Sequence, residues 1–190
     1  MRYVPRMSEN LRNYVKTVYS FDHVMKLAPE RALTKQSPCA EWKGADVIAH
    51  ALGGMKAVHN AAVKGSMPTT WPKIGSDPYA AWSKLRDQSL EALDHPNVLH
   101  KVADTWFGPM PIDTFIQYMG GDLLIHTWDL ARTAKVDERL DASLCKTAMA
   151  TWKSMPESML RSPSVFGPAV KPEKGADAQT KLLNFVGRKR

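Results

Sequence analysis

Apolar residues recur along much of this chain at three- and four-residue intervals, the period of a helix with one buried face. From Glu9 to Leu27 they fall at Leu11, Tyr14, Val15, Val18, Phe21 and Met25. Pro29 and the polar run to Pro38 end that segment. A second helix is predicted from about Lys43 to Lys64, with Val47, Ile48, Ala51, Leu52, Met55, Val58 and Ala62 on one broad face. The stretch from Gly65 to Pro78 carries Pro68, Pro72 and Pro78 and reads as a loop. A third helix is predicted from about Tyr79 to Leu93 through Trp82, Leu85, Leu90 and Leu93. Asp94 to Pro111 reads as irregular, with a short extended segment within Val98 to Trp106.

The fourth predicted helix, Ile112 to Ala134, draws apolar contacts from Ile112, Phe115, Ile116, Met119, Leu123 and Leu130. Asp141 suits the cap of a fifth helix running through Ser154. A proline-rich tail from Pro156 to Pro172 precedes a last short helix near Ala176 to Phe185. The expected fold is all-α. Four main helices form an antiparallel bundle, and a fifth helix and the tail pack outside it.

At 190 residues the chain suits one domain, 1–190, with a sizeable core. Hydrophobic residues at 44% and charged residues at 24% match a globular protein. No apolar run approaches the ~20 residues that span a bilayer. Met1 to Lys16 lacks the continuous apolar core of a signal peptide, so a cytoplasmic location and no membrane partner are expected. Cys39 and Cys145 are far apart and form no CxxC, which favours reduced thiols. The net charge of +7 is scattered apart from Arg188-Lys189-Arg190. Without a basic stripe interleaved with aromatics, that charge favours solubility or an anionic small molecule over nucleic acid.

The chemistry concentrates in Gly120-Gly121-Asp122-Leu123-Leu124-Ile125-His126-Thr127-Trp128-Asp129. Asp122 and His126 are four apart, so a helix stacks them on one face. Upstream, His50 sits in the mostly apolar Ala45–Gly54 stretch. Two imidazoles and a carboxylate from two helices suit a divalent metal with an open position. The competing reading is a buried Asp–His network. Asp129, three residues past His126, is placed either to orient a ligand imidazole or to pair with Arg132. The other histidines, His23, His59, His95 and His100, read as surface or packing residues. Gly53-Gly54 and Gly120-Gly121 lie inside helices, where each costs about 1 kcal/mol against alanine. Either close helix packing or space beside a metal accounts for them. The six tryptophans are many for this length; core packing is expected for most, with some lining a pocket.

Four segments in order resemble one family: Ser37-Pro38-Cys39-Ala40-Glu41-Trp42, Asp46 to Gly54, Asp122 to Arg132, and Phe166-Gly167-Pro168-Ala169-Val170. The chain resembles the mycothiol-dependent maleylpyruvate isomerase N-terminal-domain family within the DinB-like metalloproteins. It is most similar there to actinobacterial metal-binding proteins of unknown function. The resemblance runs from about Val24 onward and implies a DinB-like four-helix bundle holding a divalent metal, commonly zinc, with nickel or manganese as alternatives. The family's ligands fall on His50, Asp122 and His126. Mycothiol or another low-molecular-weight thiol is the implied cosubstrate, and a thiol-using transferase or isomerase acting on a small electrophile is the implied activity. A homodimer fits the same resemblance. The resembled isomerase carries glutamate where this chain has Asp122. It also has a second, C-terminal domain for which 190 residues leave no room. Metal binding is therefore expected ahead of maleylpyruvate isomerisation itself. A non-catalytic metal- or ligand-binding module and a metal-dependent hydrolase are the rival readings.

Overall fold

A computed structural model describes residues 7–161 and 165–190. The start of the expected Met1–Lys16 segment and residues 162–164 of the expected proline-rich tail lie outside the described residues. The helices are α1 (Glu9–Leu27), α2 (Gly44–Lys64), α3 (Pro78–Leu93), α4 (Ile112–Ala134), α5 (Ala142–Lys153), the single-turn α6 (Glu157–Leu160) and α7 (Ala178–Phe185). No helix among the described residues is long and apolar enough to cross a membrane.

Local chemistry explains the helix boundaries. Ser8 Oγ accepts from Leu11 N–H at 3.0 Å and starts α1. Asp77 caps α3, whose first residue is Pro78, the position where a missing N–H costs nothing. Asp141 accepts from the N–H groups of Ser143 and Leu144 at the head of α5, and Asp177 caps α7. Gly65 ends α2 in the left-handed conformation at φ 70°, where a side chain would be strained.

The long helix α4 organises the rest. Seventeen of its 23 residues are buried, because α1, α2 and α5 cover different faces of it. Asp113, at its start, accepts from Ser8 and Asn10 at the start of α1, so α1 and α4 run in the same direction and not antiparallel as expected, because the α2–α3 pair carries the chain back to the start of α1 before α4 begins. Gly44, at the start of α2, lies against Thr133 near the end of α4, so α2 runs the opposite way. Its neighbour α3 packs on α2 and α1. Gln117 near the start of α4 donates to Thr151 near the end of α5, which makes that pair antiparallel too.

The region expected to be irregular before α4 contains a hairpin. Strands β1 (Val102–Thr105) and β2 (Gly108–Pro111) pair antiparallel, with Trp106 and Phe107 at the turn. Thr105 Oγ1 accepts from Phe107 N–H and donates to Gly108 O, closing that turn with side-chain bonds. Pro109 and Pro111 cannot donate to a ladder, which hides the strand from a propensity reading. A 3-10 turn at Glu30–Thr34 likewise falls where only a polar break was expected.

Candidate functional site

His50 sits near the start of α2, and Asp122 and His126 sit midway along α4. Antiparallel packing of the two helices brings them together. One potential ligand atom from each of the three lies within 4.8 Å of the others. His50 Nε2 donates to Asp122 Oδ2 at 2.9 Å, and His126 Nε2 lies 3.6 Å from Asp122 Oδ1. The two imidazole rings meet edge to face with centroids 4.5 Å apart. Two imidazole nitrogens and one carboxylate form a donor set that could hold a divalent metal.

The orientation of His126 is set from behind. Its Nδ1 lies 2.9 Å from Asp129 Oδ2, and an ionised carboxylate only accepts. Nδ1 therefore donates to Asp129, and Nε2 is the ring nitrogen that faces Asp122 and His50. Asp129 is completely buried and is held in turn by Arg188. Arg188 Nη2 and Nε donate to its two oxygens at 2.8 and 3.2 Å, while Nη1 donates to Val186 O. The partner of Asp129 is thus Arg188. Arg132, the expected candidate, instead bonds Glu138 and lies over the Trp128 ring.

Electrostatics follow from this geometry. Burial pushes the Asp122 carboxyl up, but the flanking imidazoles of His50 and His126 outweigh it and hold it at about 2. Burial lowers His50, and the Asp122 carboxylate more than reverses this, so it ends above the usual imidazole value. Asp129 is desolvated, yet the His126 and Arg188 donors hold it below the ordinary carboxylate range.

These groups form one pole of a cavity of about 460 Å³. Cys39 lines it, half-buried rather than on an exposed loop. Desolvation raises its thiol above the ordinary value despite nearby Arg188, so it is protonated at neutral pH. Cys145 is elsewhere, buried in the smaller apolar cluster formed by α4, α5 and α7, and its thiol is pushed up to about 12. Of the remaining histidines, His23, His95 and His100 are exposed, and His59 Nδ1 meets Gln88 O.

A solved helical enzyme shares this fold. The crystal structure of a mutant mycothiol-dependent maleylpyruvate isomerase superposes with a TM-score of 0.51 at 14% identity, over 73% of this chain. This chain spans 66% of that isomerase's length. Two uncharacterized proteins of Mycobacterium tuberculosis, from strains CDC 1551 / Oshkosh and ATCC 25618 / H37Rv, are each 27% identical over 127 residues. That alignment covers 67% of this chain and 68% of each of theirs. No family model matches the chain.

The rest of the cavity escapes a linear reading. Trp42, Trp71, Trp106 and Trp152 line it, four of the six tryptophans. Trp152 is at the same time buried in the α4–α5–α7 cluster, and Trp82 and Trp128 are buried in the core. The helical glycines seat these walls. A Cβ on Gly53 would fall 2.4 Å from the Trp71 ring, and one on Gly121 would fall 2.9 Å from Trp152 Nε1. A Cβ on Gly54 would meet Met119, another wall residue, at 3.0 Å. Gly120 instead faces Tyr14 on α1, so one of the four serves helix packing alone.

Proposed function

We propose that this protein is a metal-dependent transferase or isomerase that uses a low-molecular-weight thiol against a small electrophile. In this reading residues 1–190 form one DinB-like four-helix bundle, and His50, Asp122 and His126 hold the metal. Zinc suits the donor set best, with nickel or manganese as alternatives. The observation that carries the reading is the convergence of those three donors at the pole of an open cavity, with His126 Nε2 turned inward by the bond from Nδ1 to Asp129. A structural site closes its coordination with four protein ligands, whereas three leave room for a reactant.

When bound, such a cation lowers the pKa of a coordinated thiol or water and supplies an ionised nucleophile near neutral pH. The chain's own residues do the remaining work. His50 and His126 would hold the metal through ring nitrogens, His50 after giving up the proton it shares with Asp122, while Asp122 contributes negative charge and the Asp129–Arg188 pair keeps the His126 ring from rotating. Aromatic walls line the approach to the reacting end. Cys39, held protonated, is a poor nucleophile, which favours a thiol brought from outside. The mycothiol dependence of the isomerase with this fold supports mycothiol or a related thiol as cosubstrate. A cytoplasmic setting would keep that thiol reduced.

The test is elemental mass spectrometry on untagged protein, beside His50→Ala and Asp122→Ala, followed by a thiol-consumption screen. Near-stoichiometric metal in the parent, lost in both variants while helicity persists, is expected. A parent that takes up no zinc, nickel or manganese overturns the reading. Turnover without any thiol would convert it into a metal-dependent hydrolase. Metal without turnover of any electrophile would make the chain a metal-binding module.

A further inference from the structure

The cavity is sharply divided by chemistry. At its inner pole are His50, Asp122, His126, Cys39 and Arg188, and every other lining side chain is apolar or aromatic apart from Gly54. Among the described residues, no lysine, serine, threonine, asparagine or glutamine lines it. The one arginine among those lining residues is committed, with Nε and Nη2 on Asp129 and Nη1 on Val186 O. A multiply charged body would lose its hydration here and find few partners.

The mouth offers aromatic surface instead. Trp71 is 61% exposed and Trp106 45% exposed, and their rings stack with centroids 5.7 Å apart at 21°. Two large apolar side chains left uncovered beside each other at one opening mark a contact surface. The structure holds both in place. Gly53 leaves room for the Trp71 ring, and Lys56 Nζ ties the loop by donating to Thr70 O at 2.9 Å. The β1–β2 turn, closed by Thr105, presents Trp106 beside Phe107, and Trp106 also meets Phe115 edge-on. Deeper in, Trp42 stacks on His126 at 5.4 Å and 23°. Aromatic surface therefore extends from the mouth to the polar pole. An apolar cavity of about 150 Å³ holds one benzene. At about 460 Å³ this one has room for two or three fused rings.

We propose that the cavity binds a planar aromatic ketone or related conjugated carbonyl compound of two to three rings. Its ring system lies against Trp71 and Trp106, and its single polar group points to the His50–Asp122–His126 pole. The inference deepens the reading of this cavity as the reaction site by naming the class of small molecule that enters it.

Calorimetric titration of the full chain with 2-acetonaphthone tests this, since that ketone carries no group that alkylates a thiol. The comparators are 1-cyclohexylethanone, which keeps the carbonyl but not the aromatic rings, and maleate, a small dianion. Saturable binding of 2-acetonaphthone is expected, at least tenfold tighter than either comparator. Trp71→Ala and Trp106→Ala should each weaken it roughly three- to tenfold, the loss of one aromatic partner. Both residues are exposed enough for the variants to fold, which circular dichroism verifies. Absence of saturable binding overturns the proposal, as does affinity unchanged in both variants or maleate binding more tightly. His50→Ala separates this inference from the metal reading. A metal-free parent or His50→Ala protein that still binds the ketone leaves the inference standing. A metal-loaded parent that ignores the ketone removes it and leaves the metal reading intact.

Discussion

Arg188 closes a two-pronged ion pair on Asp129, a residue 59 positions earlier in the chain, and both side chains are buried. Asp129 in turn holds Nδ1 of His126, so the segment after α7 fixes the rotamer and tautomer of a side chain at the centre of the molecule. Arg188→Ala would leave a carboxylate in a dry environment with two donors fewer, a loss of about 3 kcal/mol or more. Urea unfolding should show it, and Arg188→Lys, a point charge without the planar fork, should recover only part. Equal midpoints for parent and Arg188→Ala would mean the pair is dispensable.

Asp129→Asn keeps the shape behind His126 and removes the charge. An amide oxygen can still accept from Nδ1 and keep the ring oriented, but its NH2 faces Arg188 and leaves that buried guanidinium unpaired, so stability should fall by about 3 kcal/mol while the imidazole becomes a weaker electron donor to a metal. Metal affinity should drop about 10- to 100-fold, the usual cost of losing a carboxylate behind a metal-ligating histidine. Competition with a chelator of known affinity measures this. Cys39→Ser should leave that affinity unchanged, because the thiol is not among the three converging donors.

Two glycines should respond oppositely to the same substitution. Alanine stabilises a helix interior by about 1 kcal/mol over glycine. At Gly121 the added methyl meets Trp152, which is buried and cannot retreat, and overpacking costs about 1–3 kcal/mol. Gly121→Ala should therefore lower the thermal midpoint. At Gly53 the methyl meets the exposed Trp71 ring, which can swing into solvent. Gly53→Ala should keep or raise the midpoint while weakening 2-acetonaphthone, and a midpoint that falls as far as that of Gly121→Ala would refute this account.

Acid should find Asp22. It is buried on α1 and paired with Arg86 of α3 and with Lys26. Burial raises its carboxyl, but the Lys26 and Arg86 donors outweigh this and bring it below its ordinary value. A depressed folded pKa means stability that is present in full above the unfolded value, near 3.9, and lost as pH falls through the folded one. Unfolding free energy measured from pH 7 to pH 2 should therefore fall more steeply below about pH 4 in the parent than in Asp22→Asn. A constant gap between the two curves would contradict the assignment. Arg86→Ala at pH 7 should cost about 3 kcal/mol, since Lys26 is half exposed and compensates poorly.

The chain by itself determined the helices and the triad. Each of the longer helices carries a run of apolar residues at helical spacing, and α1, α3, α5 and α7 open on Ser8, Asp77, Asp141 and Asp177, whose caps act within three residues. Asp122 and His126 lie one turn apart on a single helix, so their alignment needs no knowledge of the fold. His50 stands in a second apolar-periodic helix, so it could be offered as a third donor, and the family resemblance pointed to the same three residues. The tertiary structure alone decided the rest. The hairpin that presents Trp106 depends on pairing β1 with a proline-containing β2, a choice made by packing against α2 and α4. Arg188 looked like one charge in a terminal basic cluster, and Arg132, three residues past Asp129, looked like the nearer partner. Helical geometry turns Arg132 outward to Glu138, and the docking of α7 on α5 carries Arg188 to Asp129. The aromatic cavity draws its walls from a loop, a hairpin turn and several helices. Local periodicity carries no information about distances between such segments, because burying them together is a property of the whole chain.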